Sequence, residues 1–470
     1  MPLEISSEQF HKLVNQVAQL AGDYLQTIDS RSTFPGVNGT EVERIFRRPL
    51  SEHGLGQEAF SDLRHVIENS RVQNARFFGY VLGSGDPVGA VADLLASVLN
   101  QNVTAWRSGP AAVTIEHTVI DWLAAAIGCR GFRGSLTGGG SPANLMGLAM
   151  AREAKLPSNE CGIGNREAVV YASTEVHMSI PKAVALLGIG RRNLHLIATD
   201  LNFHMIPSEL EAAILRDKAA GKTPIAVVAT AGTVNTGAID PLDQISAIAR
   251  KHALWMHVDG AYGALAAIAA PEKFVGLNFA DSLSLDPHKW LYQPLDCGCV
   301  LYRDPAPARA AFSHSGDYAK VLTSDPIEGF AFFEESMELS RRFRALRLWL
   351  SLRYHGLRSF RESIAKNIAL AQRLADQISK RSELELMAPT DLSAVCFRHT
   401  PESKVNDHDL NHHNVELLTK VVHRGRVYLS NAVLHEKFCL RACIVNHRTT
   451  ESDVDAVISE VITAAHETSA

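Results

Sequence analysis

Apolar residues Phe10, Leu13, Val17 and Leu20 recur at intervals of three or four residues, the spacing of one helix face. Ser6 and Gln9 form a capping box just before them, so a helix is expected there. Little nearby sequence can cover its apolar stripe, which leaves two coverings open: its own domain or a partner subunit. A stretch rich in Pro, Gly and Arg follows, through Pro35-Gly36 and Arg47-Arg48-Pro49, and reads as a connector.

From about Asp86 to Arg361, helical spacing alternates with short β-rich runs. Residues 168–172, 194–198, 225–229 and 254–258 are apolar or nearly so throughout, the pattern of strands buried on both faces. Helical crossovers between them predict a parallel sheet. Residues 298–302 form another strand, too close behind Lys289 for a helical crossover, so it is expected to run antiparallel. Phe343, Leu346 and Leu350 predict a helix over 341–355, closed by Gly356. Beyond Glu362 come a long helix and strands at 393–397 and 438–444. The expected organisation is a helical segment over 1–85, a large α/β domain over 86–361 and a small α+β domain over 362–470.

The chain has 470 residues, 46% hydrophobic and 21% charged, as ordinary globular proteins do. Its net charge of −5 offers no general attraction to nucleic acid or an anionic membrane. The first residues lack the basic and apolar regions of a secretory signal, and no apolar run is long enough to span a bilayer. Seven cysteines in a chain of this length argue against a disulfide scaffold. Cys297-Gly298-Cys299 is too closely spaced for the usual zinc or redox pair, so no metal site is expected and a buried apolar role is. A cytoplasmic location follows as the expectation.

The chemistry concentrates at Lys289, in Asp286-Pro287-His288-Lys289-Trp290, and at Asp259, where the 254–258 strand ends. Pyridoxal phosphate needs an amine for its aldehyde and an acid for its ring nitrogen, and this pair supplies both. Its phosphate needs an anion site. Gly138-Gly139-Gly140-Ser141-Pro142 is expected to open a helix, with Ser141 as its cap and Pro142 at the first position. The strict GxGxxG of a dinucleotide fingerprint fails at Ala143, where its third glycine would stand. His177 and Thr233 each follow a strand, at the sheet edge where ligands bind. Taken singly, these are a turn, a loop histidine, a helix cap and a solvated lysine. Together they lie at strand ends, in an order that a parallel sheet can bring to one place.

Several runs make the chain resemble the pyridoxal-phosphate-dependent group II amino-acid decarboxylases, aromatic-L-amino-acid decarboxylases in particular. They are Arg76-Phe77-Phe78-Gly79-Tyr80, the 138–141 loop, His177, Asp259 with Ala261, Pro287-His288-Lys289-Trp290 and Ser340-Arg341-Arg342-Phe343-Arg344. The resemblance implies the fold-type-I architecture and an obligate homodimer with its active site at the subunit interface. It also implies roles. Lys289 would bear the cofactor as a Schiff base. Asp259 would hold the pyridine nitrogen. His177 would stack on the ring, and Ala261 would pack on its other face. Gly140, Ser141 and His288 would hold the phosphate, with Thr233 in the ring environment. The substrate would be an L-amino acid, released as the amine and CO2.

The sequence departs from that family in two places. The family's loop tyrosine serves as proton donor. Counting back without gaps from Ser340, its place falls to Phe332, and the nearest tyrosine is Tyr318. Such a change accompanies aldehyde synthesis in related plant enzymes, so an aldehyde product is the alternative expectation. Another pyridoxal-dependent carbon–carbon lyase is a third. Asn102 and Thr104 precede Trp106, and Val81-Leu82-Gly83 follows Tyr80, which predicts a more polar or reshaped substrate pocket.

Overall fold

The computed structural model describes residues 3–50, 52–314, 324–401 and 406–469. Helix α1 spans Ser7–Thr27, and Ser6 and Gln9 make the expected capping box. None of its residues is buried. The segment expected to be a connector carries two short helices, α2 (Gly39–Phe46) and α3 (Leu63–Glu68). Asn38 and Glu41 supply the capping box that lets α2 form there. Next come α4 (Pro87–Leu99), α5 (Pro110–Ala126) and α6 (Gly140–Lys155).

The central sheet has strands β1 (Arg133–Thr137), β2 (Ala168–Ser173), β3 (Leu194–Ile197), β4 (Thr223–Thr230), β5 (Trp255–Asp259), β6 (Ser282–Leu285) and β7 (Gly298–Tyr302). Their order is β1-β7-β6-β5-β4-β2-β3. The pairs from β3 through β6 are parallel, whereas β7 runs antiparallel to both its neighbours, as its short connection requires. β2, β5, β6 and β7 are buried along their whole length. The expectation of two buried faces fails for β3. It is the edge strand, and its Leu196 is exposed. Apolar helix faces cover both sides of the sheet, with Val113, Ile120 and Leu123 of α5 on one and Met146, Leu148 and Met150 of α6 on the other. This is the fold-type-I architecture.

The helix expected from Arg341 begins at Ala345 and runs to Ser379, interrupted at Gly356 (φ 74°). It starts late because the preceding turn is spent on other partners. The Arg341 N–H donates to Asn102 Oδ1 at 2.9 Å, and its buried guanidinium reaches Glu116 and the carbonyls of Val103 and Leu136. A second, antiparallel sheet follows, of β8 (Leu384–Leu386), β9 (Ala394–His399), β10 (Ser430–Leu434) and β11 (Lys437–Cys443), in the order β10-β11-β9-β8.

All seven cysteines carry free thiols, and only Cys161 is exposed. Burial pushes the Cys297 thiol up to about 12, so it stays protonated as part of the core. Among the described residues, no helix is long and apolar enough to cross a membrane. None of their His, Cys, Asp and Glu side chains form a group of three placed to hold a metal ion.

Candidate active site

Strands β1, β2, β4, β5 and β6 deliver their carboxyl-terminal loops to one edge of the sheet. There they surround a cavity of about 320 Å³. Its lining includes Gly140, Ser141, His177, Asp259, Ala261, His288 and Lys289, so seven of the sequence-predicted site residues converge.

Asp259 is the last residue of β5 and is 5% exposed. Its Oδ1 accepts from Ala261 N at 3.2 Å and from Ser284 Oγ at 3.1 Å, and its Oδ2 accepts from Asn144 Nδ2 at 2.9 Å. A buried carboxylate ringed by donors is oriented as well as solvated. Lys289 lies on the short helical turn Pro287–Trp290, with Nζ 2.9 Å from Asp286 Oδ2.

Gly139 caps α6 with φ 133°, a conformation that side-chained residues rarely adopt. That displaces Ser141 from the expected cap into the first turn, where it is exposed at the mouth of the cavity. A Cβ on Gly140 would come within 2.6 Å of the Ala261 Cβ, so glycine is required for the two loops to close on each other. The free N–H groups and dipole at the start of a 16-residue helix favour an anion here.

The His177 imidazole accepts at Nδ1 from Ser179 N (3.3 Å), and Nδ1 lies 2.9 Å from Ser179 Oγ. The backbone donor fixes Nδ1 as the acceptor, so the ring proton resides on Nε2. Burial lowers the His177 pKa, partly opposed by Asp259, and this favours the neutral ring. His288 Nδ1 is 2.7 Å from the Cys297 carbonyl, and burial lowers its pKa too.

Two predicted residues lie elsewhere. Gly232 and Val234 line the cavity, but Thr233 does not. Its Oγ1 closes the 233–238 turn instead, 2.8 Å from Thr236 Oγ1 and accepting from Ala238 N. Phe332 is 0% exposed. Its ring packs edge-on against His117 and Phe330, and the Arg341 guanidinium sits 4.1 Å from its centroid. The gap-free count placed it on a loop, whereas it belongs to the core. Tyr318 lies outside the described residues. Asn102 and Thr104 do not line the cavity of their own chain. Asn102 is committed to Arg341, and the Thr104 carbonyl accepts from Phe333 N. Val81 forms wall there instead.

Sequence reasoning missed Asn144, Ser179, His257 and Asp286. Asn144 Oδ1 lies 2.9 Å from His257 Nε2, and its Nδ2 reaches both Asp259 and Ser179. Asn144 follows the glycine run by one helical turn, on the face toward the sheet, and that position was the available signal.

An anion site at a helix start, a lysine and an oriented carboxylate in one cavity fit pyridoxal phosphate, and the chain is an enzyme of that cofactor class. It belongs to the pyridoxal-dependent decarboxylases, whose conserved-domain model matches residues 47–400. It is therefore a pyridoxal-phosphate-dependent amino-acid decarboxylase. It is 34% identical to the aromatic-L-amino-acid decarboxylase of Bacillus atrophaeus, over 99% of this chain and 98% of that one. It is 30% identical to the phenylacetaldehyde synthase of Petunia hybrida, over 94% and 91% of the two chains. The crystal structure of Oryza sativa TDC with PLP and tryptamine superposes with a TM-score of 0.93 at 26% identity, covering 100% of this chain and 99% of that one.

Proposed function

We propose that the chain decarboxylates an aromatic L-amino acid to its amine, acting as a homodimer. The observation that carries this reading is the convergence of Lys289, Asp259 and the α6 glycine turn on one cavity, in a chain 34% identical to an aromatic-L-amino-acid decarboxylase.

When bound, the cofactor supplies a ring that accepts the electrons of the broken Cα–carboxylate bond. Lys289 provides the anchoring amine. Asp259 would meet the ring nitrogen and keep a proton there. Gly140, Ser141 and His288 would hold the phosphate, and Ala261 would pack against the ring. His177 would cover the cofactor opposite Ala261 and, in its imidazolium form, would give its Nε2 proton to the substrate carbon. Thr233 supports the turn that carries Gly232 and Val234.

Exposed apolar residues support the dimer. Val91, Leu94, Leu95, Val98 and Leu99 of α4 are between 46 and 66% exposed, and Phe10 and Val17 of α1 are exposed beside polar neighbours. We assign residues 1–85 to the segment that wraps the partner, 86–361 to the cofactor-binding domain and 362–470 to the small domain.

Borohydride reduction of the holoenzyme followed by peptide mapping tests the assignment. Label should appear on the Lys289 peptide, and label on another lysine would refute it. A panel of amino acids scored for amine, aldehyde, CO2 and peroxide tests the product. The aldehyde is the second reading, supported by the 30% identity to a phenylacetaldehyde synthase. The amine comes first on the 34% identity to an aromatic-L-amino-acid decarboxylase, and the burial of Phe332 within its own chain speaks against a role for it at the reacting atoms.

A further inference from the structure

Asp286 is 3% exposed and lines the cavity, yet its Oδ1 has no hydrogen-bond partner among the described residues. Its Oδ2 lies 2.9 Å from Lys289 Nζ and 3.6 Å from His288 Nε2. Burial lowers the His288 pKa, so Lys289 is the charged partner of the pair. Asp286 is the N-cap of the short turn that carries Lys289, and the two side chains meet across it. Across the cavity, a Cβ on Gly140 would stand 3.0 Å from Asp286 Oδ2, so the glycine leaves room for the carboxylate. A carboxylate this deeply buried is costly unless a cation pairs with it.

We propose that Asp286 holds the Lys289 ammonium at the phosphate end of the cavity whenever that amine is not joined to the cofactor. The inference rests on the reading of Lys289 as the cofactor lysine. Substrate must displace Lys289, and the lysine must then return. A free lysine side chain has many rotamers, and an ion pair at one end of the cavity removes most of that freedom. Asp286 acts through Lys289 and is a positioning residue.

The test uses apoenzyme acylated with acetic anhydride at one fixed pH. Labelling of Lys289 is read by mass spectrometry against the exposed Lys273. An ammonium held in an ion pair acylates slowly. Asp286→Asn should speed labelling of Lys289 about tenfold, the factor that about 1.4 kcal/mol of ion pairing gives. Asp286→Glu should restore slow labelling. Equal rates in wild type and folded Asp286→Asn would overturn the proposal. Asp286→Ser serves if the Asn variant does not fold, and failure of both to fold would make Asp286 a structural residue and overturn the proposal equally. Borohydride that fails to mark Lys289 sinks the cofactor assignment, whereas unchanged acylation sinks only the role of Asp286.

Discussion

The side-chain amide of Asn144 donates to Asp259 Oδ2 at 2.9 Å, joining the first helix turn after the glycine run to the end of β5. Every group behind that bond has one allowed orientation. Trp255 Nε1–H donates to Ser282 Oγ at 2.8 Å, which leaves the Ser282 hydroxyl to donate to His257 Nδ1, also at 2.8 Å. His257 then carries its proton on Nε2 and gives it to Asn144 Oδ1, so the amide nitrogen must face Asp259 and Ser179. Burial pushes the His257 imidazole down to about 4, opposed by Asp259, and the neutral ring is the form this chain of bonds requires. The same amide reaches His177 through Ser179, so one side chain sets both flanking groups of the cavity.

Asn144→Leu removes a hydrogen bond to a buried charge, worth about 1.5–3 kcal/mol. Turnover and cofactor affinity should fall roughly ten- to hundredfold, in the same direction as in Asp259→Asn. Steady-state kinetics and cofactor titration check this. Unchanged affinity in folded Asn144→Leu would show that Asp259 needs no such support.

Glu116 and Arg341 form a fully buried ion pair at 2.5 Å, with Glu116 also accepting from Leu136 N. It ties α5, β1 and the start of the Ala345–Ser379 helix together. Breaking such a pair from one side typically costs about 3–5 kcal/mol, because a buried charge is left unpaired. Glu116→Ala should lower the urea midpoint strongly. Glu116→Leu combined with Arg341→Met should recover much of the loss. A double variant as unstable as the sum of its singles would refute the coupling.

What the sequence disclosed and what it hid have a common physical cause. Lys289, Asp259 and the reversed β7 were legible because their signals are local: a motif, a strand end and a short connection. β1 and β6 were harder to read, since Ser135, Ser282 and Ser284 interrupt their apolar character. Two of those hydroxyls serve the site, Ser282 toward His257 and Ser284 toward Asp259. Asn144 was visible in the sequence only as a polar residue one turn beyond the glycine run, because its carboxylate partner is 115 residues away. Thr233 missed the cavity by one position, since the turn points its neighbours Gly232 and Val234 inward and its own hydroxyl back on the backbone.

The apolar face of α4 and the uncovered stripe of α1 predict that the first helix is held by a partner subunit. Deleting residues 1–28 should give aggregates or an inactive monomer by sedimentation velocity and assay. A stable, active monomer would refute the arrangement.

Acid should destabilise the fold before the carboxylates titrate. Burial, more than the neighbouring charges, pushes His117, His399 and His447 down to about 4 from an ordinary 6.5. Arg133 and Arg341 add to the effect at His117. Between these values the unfolded chain binds protons that the folded chain does not, so stability is complete above about pH 6.5 and is lost as pH falls toward 4. One such group contributes up to about 1.4 kcal/mol per pH unit in that window. His117 Nε2 has no hydrogen-bond partner among the described residues, and its ring packs on Phe330 and Phe332. His117→Phe should therefore keep the fold and flatten the profile of urea midpoint against pH. An unchanged slope would assign the acid loss to other groups.

Phe332 decides between the two product readings. On the gap-free count it replaces a proton-donating tyrosine, and its absence would favour the aldehyde. In the fold its ring is enclosed by His117, Phe330 and Arg341 and presents no surface to the cavity. A hydroxyl added at the ring edge would meet packed neighbours without a ready partner, at a cost of about 1–3 kcal/mol. Phe332→Tyr should thus lower the urea midpoint and leave the ratio of amine to aldehyde unchanged. Phe332→Leu should destabilise as well, through the lost contact with Arg341. Oxygen uptake, peroxide and amine measured on the same samples read the partition, where a tenfold change needs only about 1.4 kcal/mol. If Phe332→Tyr moved the products toward amine without loss of stability, the residue would have to reach reacting atoms and the aldehyde reading would stand. If His177→Asn moved them toward aldehyde while Phe332→Tyr did not, the proton would reach the product by way of His177, whose Nδ1 is held by Ser179.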